Sequence, residues 1–242
     1  MATILNLESA TAICSVSIGK DGTLLAIRET DEARSAGAVI TVFTEEIIKE
    51  SGIAFKELDA VAVSGGPGSY TGLRIGVSTA KGYCFALDIP LISISTLQAM
   101  AYGVSYKIKQ GLFKDVLSPF TDENILLCPM IDARRMEVYT SFFNLDLETI
   151  KSDSADIIDE HSYEDILKDK KMLFFGDGSA KCKETFAHQP NAIFLDDNLP
   201  TASNMIALSE KKFNDKNFED LAYFEPFYLK DFVATKPKNK FL

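Results

Sequence analysis

The most restrictive feature of this sequence is the order in which its hydrophobic periodicities change. Apolar and polar residues alternate through three successive stretches of the first thirty residues, the period of two expected of strands. An Asp-Gly pair at 21–22 separates the second stretch from the third and favours a tight hairpin turn. A helical spacing then appears at Ile40, Phe43 and Ile47. Gly52 stands where such a helix would end, so the chain is predicted to begin with three antiparallel strands and a helix.

The remainder of the first hundred residues alternates between strand and helix patterns. A short apolar run at 58–63 predicts a buried strand, and a glycine-rich loop joins it to a helix over 71–87. Another strand is expected at 91–95, with a helix from Ser95 onward. Right-handed crossovers place these later strands parallel to the first, with helices covering the sheet. This order is that of a ribonuclease-H-like lobe.

The same order recurs more loosely in the second half of the chain. Strands are predicted at 125–131, 138–143, 172–175 and 192–195, with helices near 163–168, after Gly178 and near 202–212. We therefore predict an α/β protein of the two-lobed actin-like (ASKHA) class, which is a duplicated ribonuclease-H-like fold. The predicted division is a first lobe at 1–102, a connector at 103–124, a second, degenerate lobe at 125–229 and a lysine-rich tail at 230–242.

Composition limits the class of function. The 242 residues carry 35 acidic and 25 basic side chains, a net charge of −10, which disfavours autonomous binding to nucleic acid. The four cysteines lack the clustered spacing of a disulfide framework or a zinc site and indicate free thiols in a reducing compartment. Without a secretory signal or a membrane-spanning apolar run, we expect a cytoplasmic protein with no membrane partner. The acidic stretch at 146–170 is interpreted as a solvated insertion.

The densest motif is the glycine-rich segment Gly65–Gly76, which reads GGPGSYTGLRIG. Unpaired N–H groups at a helix start favour an anion, and glycines let a phosphate approach the backbone. However, small residues four apart, at Gly72, Gly76 and Ala80, would equally allow another backbone to pack against the helix. Phosphate contact and close packing both stay open. The candidate loop residues are Gly66, Pro67, Gly68, Ser69, Tyr70, Thr71 and Gly72.

The turns that should complete a nucleotide site lack its usual residues. An actin-like ATPase carries an aspartate and a glycine in each of two phosphate loops, whereas the first turn here is Glu-Ser-Ala-Thr at 8–11. The corresponding turn of the second lobe, 132–135, also lacks glycine. His161 and His188 are the only histidines, and neither lies in a metal-binding motif. We expect no catalytic residue and no metal; a small-molecule kinase or ATPase is the alternative, and a metallopeptidase a third hypothesis.

The sequence resembles the TsaB (YeaZ) family of tRNA threonylcarbamoyladenosine biosynthesis proteins. The resemblance is strongest in the first lobe, where it is carried by the motif at 65–76, the opening hairpin at 4–16 and matches at 80–82, 89–90 and 95–97. It continues in shorter matches at 131–134, 137–139 and 226–229. It implies a non-catalytic subunit that dimerises with the paralogous TsaD and activates threonylcarbamoyl transfer to adenosine 37 of tRNAs reading codons that start with A. It also implies TsaE as a third component, tRNA contact only through the complex, a homodimer when the chain is alone, and no cofactor beyond a possible nucleotide at the partner interface.

The resemblance further implies a partner-binding surface on the first two helices. On the first of them, Val39, Val42 and Phe43 widen the apolar stripe beyond what packing on a sheet requires. A wide stripe that simply faces the core is the alternative. The residues assigned to partner binding are Val39, Phe43, Ile47, Arg74, Val77, Ala80, Lys81 and Cys84.

Overall fold

The computed structural model describes residues 2–30, 36–117 and 122–230, which form two five-stranded sheets and the helices that cover them. The first sheet contains β1 (Thr3–Glu8), β2 (Cys14–Lys20), β3 (Thr23–Thr30), β4 (Ala60–Gly66) and β5 (Leu91–Ser95). The second contains β6 (Ile125–Asp132), β7 (Glu137–Phe143), β8 (Thr149–Ile157), β9 (Lys171–Phe175) and β10 (Ala192–Leu195). The helices are α1 (Ala36–Ser51), α2 (Tyr70–Leu87), α3 (Thr96–Lys109), α4 (Lys114–Leu117), α5 (Glu164–Leu167) and α6 (Ile206–Asn214).

The two sheets have the same topology. Their strand orders, β3-β2-β1-β4-β5 and β8-β7-β6-β9-β10, correspond strand for strand. In each sheet the first three strands pair antiparallel, and the last two join in parallel. The hairpin turn at 21–22 has positive φ at both residues, as the Asp-Gly pair predicts. The duplicated actin-like α/β fold is thereby confirmed.

The helices and sheets stack in alternating layers. Helices α1 and α2 cover one face of the first sheet, where Leu7, Val16 and Val63 contribute to the core. Helix α3 lies between the sheets, since Ala99 packs on the first and Met100 on the second. The far side of the second sheet is covered by the segment that contains α5, with a stack of aromatic rings beneath it.

The C-terminal part of the chain returns to the first sheet. Ala202 and Met205 are buried against Ile4 and Ile92, on the sheet face that α1 and α2 leave open. Residues 202–228 were assigned to the second lobe from sequence, but the structure packs much of this segment on the first. Helix α3 likewise runs through the predicted boundary at 102/103. Long-range packing of this kind leaves no signal in local periodicity.

Two local predictions differ from the structure. The acidic stretch at 146–170 contains the edge strand β8, in which Lys151 pairs with Asp156 and lies over the Phe142 ring. Edge strands tolerate charged side chains because one of their sides stays open to solvent. The helix predicted after Gly178 is a single 3₁₀ turn at Ala180–Cys182.

The ends of the described chain bear on two further predictions. Lys230, the first residue of the predicted tail, forms an ion pair with Glu137. The rest of that tail, 231–242, lies outside the described residues. Within the part of the chain that the structure describes, no helix is long and apolar enough to cross a bilayer.

Candidate functional site

The glycine-rich motif connects the end of β4 to the first turn of α2. Strand β4 is buried along its whole length, and the chain leaves it through Gly66, whose φ of 110° is open to glycine but strained for other residues. The Gly66–Pro67 peptide bond is cis. Ser69 caps α2: its hydroxyl oxygen accepts a hydrogen bond from the Gly72 N–H at 3.3 Å. One of the N–H groups that an anion would use is therefore already engaged.

The motif glycines are packed against the turn between β1 and β2. A Cβ atom on Gly72 would lie 2.1 Å from the Ser9 carbonyl oxygen, and one on Gly68 would lie 2.4 Å from the Ala10 carbonyl oxygen. The Ser69 N–H donates to the Ala10 carbonyl at 2.6 Å. The Ser9 hydroxyl donates in turn to the Gly72 carbonyl at 2.9 Å. Of the two alternatives left open by the sequence, the structure supports close packing as the reason for these glycines.

The same turn contains a buried carboxyl group. Glu8 is fully buried, and its Oε1 accepts a hydrogen bond from the Ala10 N–H at 2.7 Å. Its Oε2 has no hydrogen-bond partner among the described residues. Burial raises the pKa of Glu8 to about 7, against the opposing effect of the Ala10 hydrogen bond. Glu8 is therefore divided between its neutral and ionised forms near neutral pH.

A cleft of about 620 Å³ separates the motif from the first turn of the second lobe. Its walls include Thr11 and Ser69 on one side and Asp132, Arg134 and Asp177 on the other. The Asp177 carboxylate accepts a hydrogen bond from the Asp132 N–H at 3.1 Å, which joins the two acidic residues. Residues of both turns that the sequence analysis compared with phosphate loops, 8–11 and 132–135, line this cleft.

The charges around this cleft are largely balanced within the chain. Lys181 forms an ion pair with Asp132, and Lys230 forms one with Glu137 at 2.5 Å. Burial acts to raise the pKa of Asp132, but the Lys181 hydrogen bond and charge outweigh it and lower that pKa. Burial raises the pKa of Asp177, with the nearby Asp132 charge adding to it. Both lysines thus already have carboxylate partners, which weakens the attraction of the cleft for a triphosphate.

The residues assigned to partner binding differ widely in their exposure. Four of them lie in the core beneath α1 and α2 in the isolated chain: Ile47, Val77, Ala80 and Cys84. Two more, Val39 and Phe43, are half-buried and pack against that core. Lys81 is half-buried, and Arg74 is exposed. The spacing of apolar residues in the sequence does not show which side of α2 is buried and which side faces solvent.

The solvent side of α2 carries residues that the sequence analysis did not single out. Phe85 is 82% exposed, and helical spacing places it on the same side as Arg74 and Lys81. The Arg74 guanidinium lies 5.4 Å from the centre of the Tyr70 ring. An exposed phenylalanine among cations is visible in the sequence only once the buried side of the helix is known. We call Tyr70, Arg74, Ser78, Lys81 and Phe85 the α2 face.

The C-terminal segment borders the α2 face. The Phe227 N–H donates to the Gly65 carbonyl at 2.7 Å, and the Tyr228 ring lies 4.9 Å from the Tyr70 ring. Lys81 Nζ donates to the Ala222 carbonyl at 3.3 Å. A groove of about 360 Å³ separates this segment from α2. The motif loop, α2 and the end of the described chain therefore form one continuous surface.

Comparison with known proteins links this arrangement to a family. A family model described as TsaD, tRNA N6-adenosine threonylcarbamoyltransferase, matches residues 32–238. The TsaB protein of Haemophilus influenzae, named a tRNA threonylcarbamoyladenosine biosynthesis protein, is 28% identical over 243 residues, 97% of this chain and 96% of the relative. Its Escherichia coli counterpart is 26% identical over 238 residues, 96% of each chain. The solved structure of YeaZ from Pseudomonas aeruginosa matches 95% of this chain and all of its own, with a TM-score of 0.75 at 21% identity.

Over 2–30, 36–117 and 122–230, no three His, Cys, Asp or Glu side chains are grouped so that they could hold a metal ion.

Proposed function

Because the chain belongs to the tRNA N6-adenosine threonylcarbamoyltransferase (TsaD) family, as a TsaB (YeaZ) member, we propose that it is a non-catalytic subunit of tRNA threonylcarbamoyladenosine synthesis. In this proposal it dimerises with TsaD and activates threonylcarbamoyl transfer to adenosine 37. TsaE joins the pair, and tRNA binds through the complex. The observation that carries the proposal is the packing of Gly68 and Gly72 onto the Ser9–Ala10 turn. Because the motif loop packs against another turn of the same chain, it is suited to fix the position of α2 and its exposed surface.

The α2 face is the surface that we assign to TsaD. Phe85 is 82% exposed, and a partner that covers its ring stabilises the complex by removing apolar surface from water. Aromatic and arginine side chains commonly dominate the binding energy of an interface. Arg74 and Lys81 make this face locally basic on a chain with a net charge of −10. The partner surface should therefore offer an apolar pocket bordered by carboxylates. Because homologous chains present related surfaces, the isolated protein is expected to form a homodimer through the same face.

We predict that Phe85→Asp or Arg74→Glu weakens binding to TsaD by at least about tenfold, because each change removes an exposed contact without disturbing the core. Binding is measured by calorimetry with purified TsaD, and activity by the amount of modified nucleoside formed in the reconstituted system. The matched control is Ile157→Asp, at an apolar position with 76% exposure on the β8 edge, and it should bind as wild type does. A charged residue at Val77 is unsuitable for this test because that side chain is only 4% exposed.

Wild-type binding by the Phe85→Asp and Arg74→Glu variants would move the interface away from the α2 face. A loss of binding in all three variants would instead point to a general defect. Unimpaired nucleoside formation by a mixture that lacks this chain would contradict the proposed function itself.

The 620 Å³ cleft favours a second candidate, a small-molecule kinase or ATPase. We expect negligible nucleotide turnover by the isolated chain, because Lys181 and Lys230 are committed to carboxylates. Turnover is followed as phosphate release from ATP with magnesium, and Asp177→Asn serves as the comparison. If the wild type released phosphate and Asp177→Asn did not, the kinase or ATPase hypothesis would be established. A nucleotide bound without turnover at the TsaD interface stays compatible with the proposed subunit role.

A further inference from the structure

A separate cavity of about 490 Å³ lies where Ile13, the end of β3, α3 and the segment 197–204 meet. Its volume is within the range of roughly 300–1,000 Å³ typical of small-molecule sites. Apolar side chains form part of its lining: Ile13, Met100, Val104, Leu199 and Pro200. Neither the glycine-rich motif nor the α2 face contributes to it. The proposed function therefore leaves this cavity without a role.

One wall of the cavity holds a carboxylate in a fixed position. The Oε1 atom of Glu29 accepts hydrogen bonds from the Ser15 hydroxyl at 2.8 Å and from the Thr201 hydroxyl. The Ser15 hydroxyl in turn accepts from the Ala202 N–H at 3.0 Å, so this network ties β2 to the C-terminal segment. The second oxygen, Oε2, has no hydrogen-bond partner in the described part of the chain. Glu29 thus offers one positioned oxygen that the protein does not use.

A cation lines the same cavity from α3. Lys107 Nζ donates to the Asn198 Oδ1 at 2.7 Å, and Asn198 is held by a hydrogen bond from its own Nδ2 to the Asp196 carbonyl. Among the described residues, Lys107 has no carboxylate partner within ion-pair distance. Glu29 and Lys107 therefore face one cavity with opposite charges and do not pair with each other. An ammonium has three donors, so two remain for a ligand.

An amide stands in the same lining. Asn204 packs so closely on α3 that a Cβ atom on Gly103 would lie 2.3 Å from its Nδ2. Its side-chain amide makes no hydrogen bond within the described residues. Since Asn204 lines the cavity, the donors and the acceptor of its amide remain available to a ligand there. Amides of this kind can both donate to and accept from one ligand.

We propose that this cavity binds a free α-amino acid. Lys107 takes the carboxylate, Glu29 takes the ammonium, and the Asn204 amide contacts the polar part of the side chain. Two opposite charges that line one cavity without pairing with each other form the arrangement that a zwitterion complements. Glu29 and Asp197, which are both exposed, outnumber the single lysine, which disfavours a phosphorylated ligand. The apolar lining accommodates the aliphatic portion of the amino acid.

The test uses the whole chain and a mixture of the twenty proteinogenic L-amino acids. Saturation-transfer NMR identifies those that bind, and calorimetry then measures the affinity of the strongest. Glu29→Gln and Lys107→Met are each expected to weaken that affinity at least about tenfold, since each removes one charge pair. The matched control is Lys109→Met, which changes an exposed lysine of the same helix outside the cavity and should bind as wild type does.

A chemical comparison keeps the result independent of folding in the variants. The N-acetyl derivative and the carboxamide of the same amino acid each lack one charge, and each should bind wild-type protein at least about tenfold more weakly. If none of the twenty amino acids bound, the proposal would be overturned. Equal affinity for the two derivatives and the parent amino acid, or unchanged affinity in both cavity variants, would overturn it as well. None of these outcomes depends on TsaD, so the proposed subunit role is tested separately.

Discussion

Replacing Gly72 by alanine will destabilise the protein by about 3 kcal/mol, the upper end of the usual range for overpacked interiors. The new Cβ atom would lie 2.1 Å from the Ser9 carbonyl oxygen, a backbone atom that has no rotamer by which to withdraw. The turn between β1 and β2 must therefore move away from α2, which also lengthens the Ser69–Ala10 hydrogen bond. Urea denaturation followed by circular dichroism measures the free energy of unfolding.

The same helix supplies the control for this prediction. Gly82 is exposed, and a Cβ atom there would meet nothing within 4 Å. Gly82→Ala is expected to stabilise the protein by about 0.5–1 kcal/mol, because alanine favours the helix interior. If the two variants were equally stable, close packing could not be the reason for Gly72. Wild-type stability of Gly72→Ala, combined with lost nucleotide binding, would instead assign the glycine to phosphate contact.

Local periodicity was sufficient to predict most of the fold. Each strand of the first sheet has a period of two or a short apolar run, and each crossover helix has an apolar stripe, so element type and order follow from the residues. The Asp-Gly turn at 21–22 then fixes the hairpin of β2 and β3. The position of residues 202–228 could not be predicted, because a chain that returns to an earlier sheet does so through contacts distant in sequence.

The site was less predictable for a related reason. Small residues at Gly72 and Gly76 are compatible with a ligand or with packing, and only the approach of Ser9 distinguishes the two. On α2, the sequence offered Val77 and Cys84 as partner contacts, whereas both are buried beneath the helix. Phe85 belongs to the opposite side of α2. Which side of a helix faces the sheet depends on its rotation, and that is set by tertiary packing.

Glu8→Gln is expected to change how stability depends on pH. In the unfolded chain this carboxyl ionises near its ordinary pKa of 4.5, whereas burial holds the folded pKa at about 7. Between these values the unfolded state releases a proton that the folded state retains, so this group makes stability fall as pH rises. The loss is complete above the folded pKa and amounts to about 3 kcal/mol for a shift of this size.

Glutamine retains an Oε1 that can accept from the Ala10 N–H and carries no charge at any pH. We therefore expect the variant to gain about 3 kcal/mol relative to wild type between pH 4 and pH 8, as measured by urea denaturation at both values. Glu45→Gln makes the same chemical change at an exposed position of α1 and should follow the wild-type profile. The Cys14 thiol nearby has its pKa raised to about 12, by burial and then by the Glu8 charge, so it stays neutral and does not offset that charge. Parallel stability profiles for Glu8→Gln and wild type would mean that the folded pKa of Glu8 lies near its ordinary value of 4.5, and that burial does not raise it.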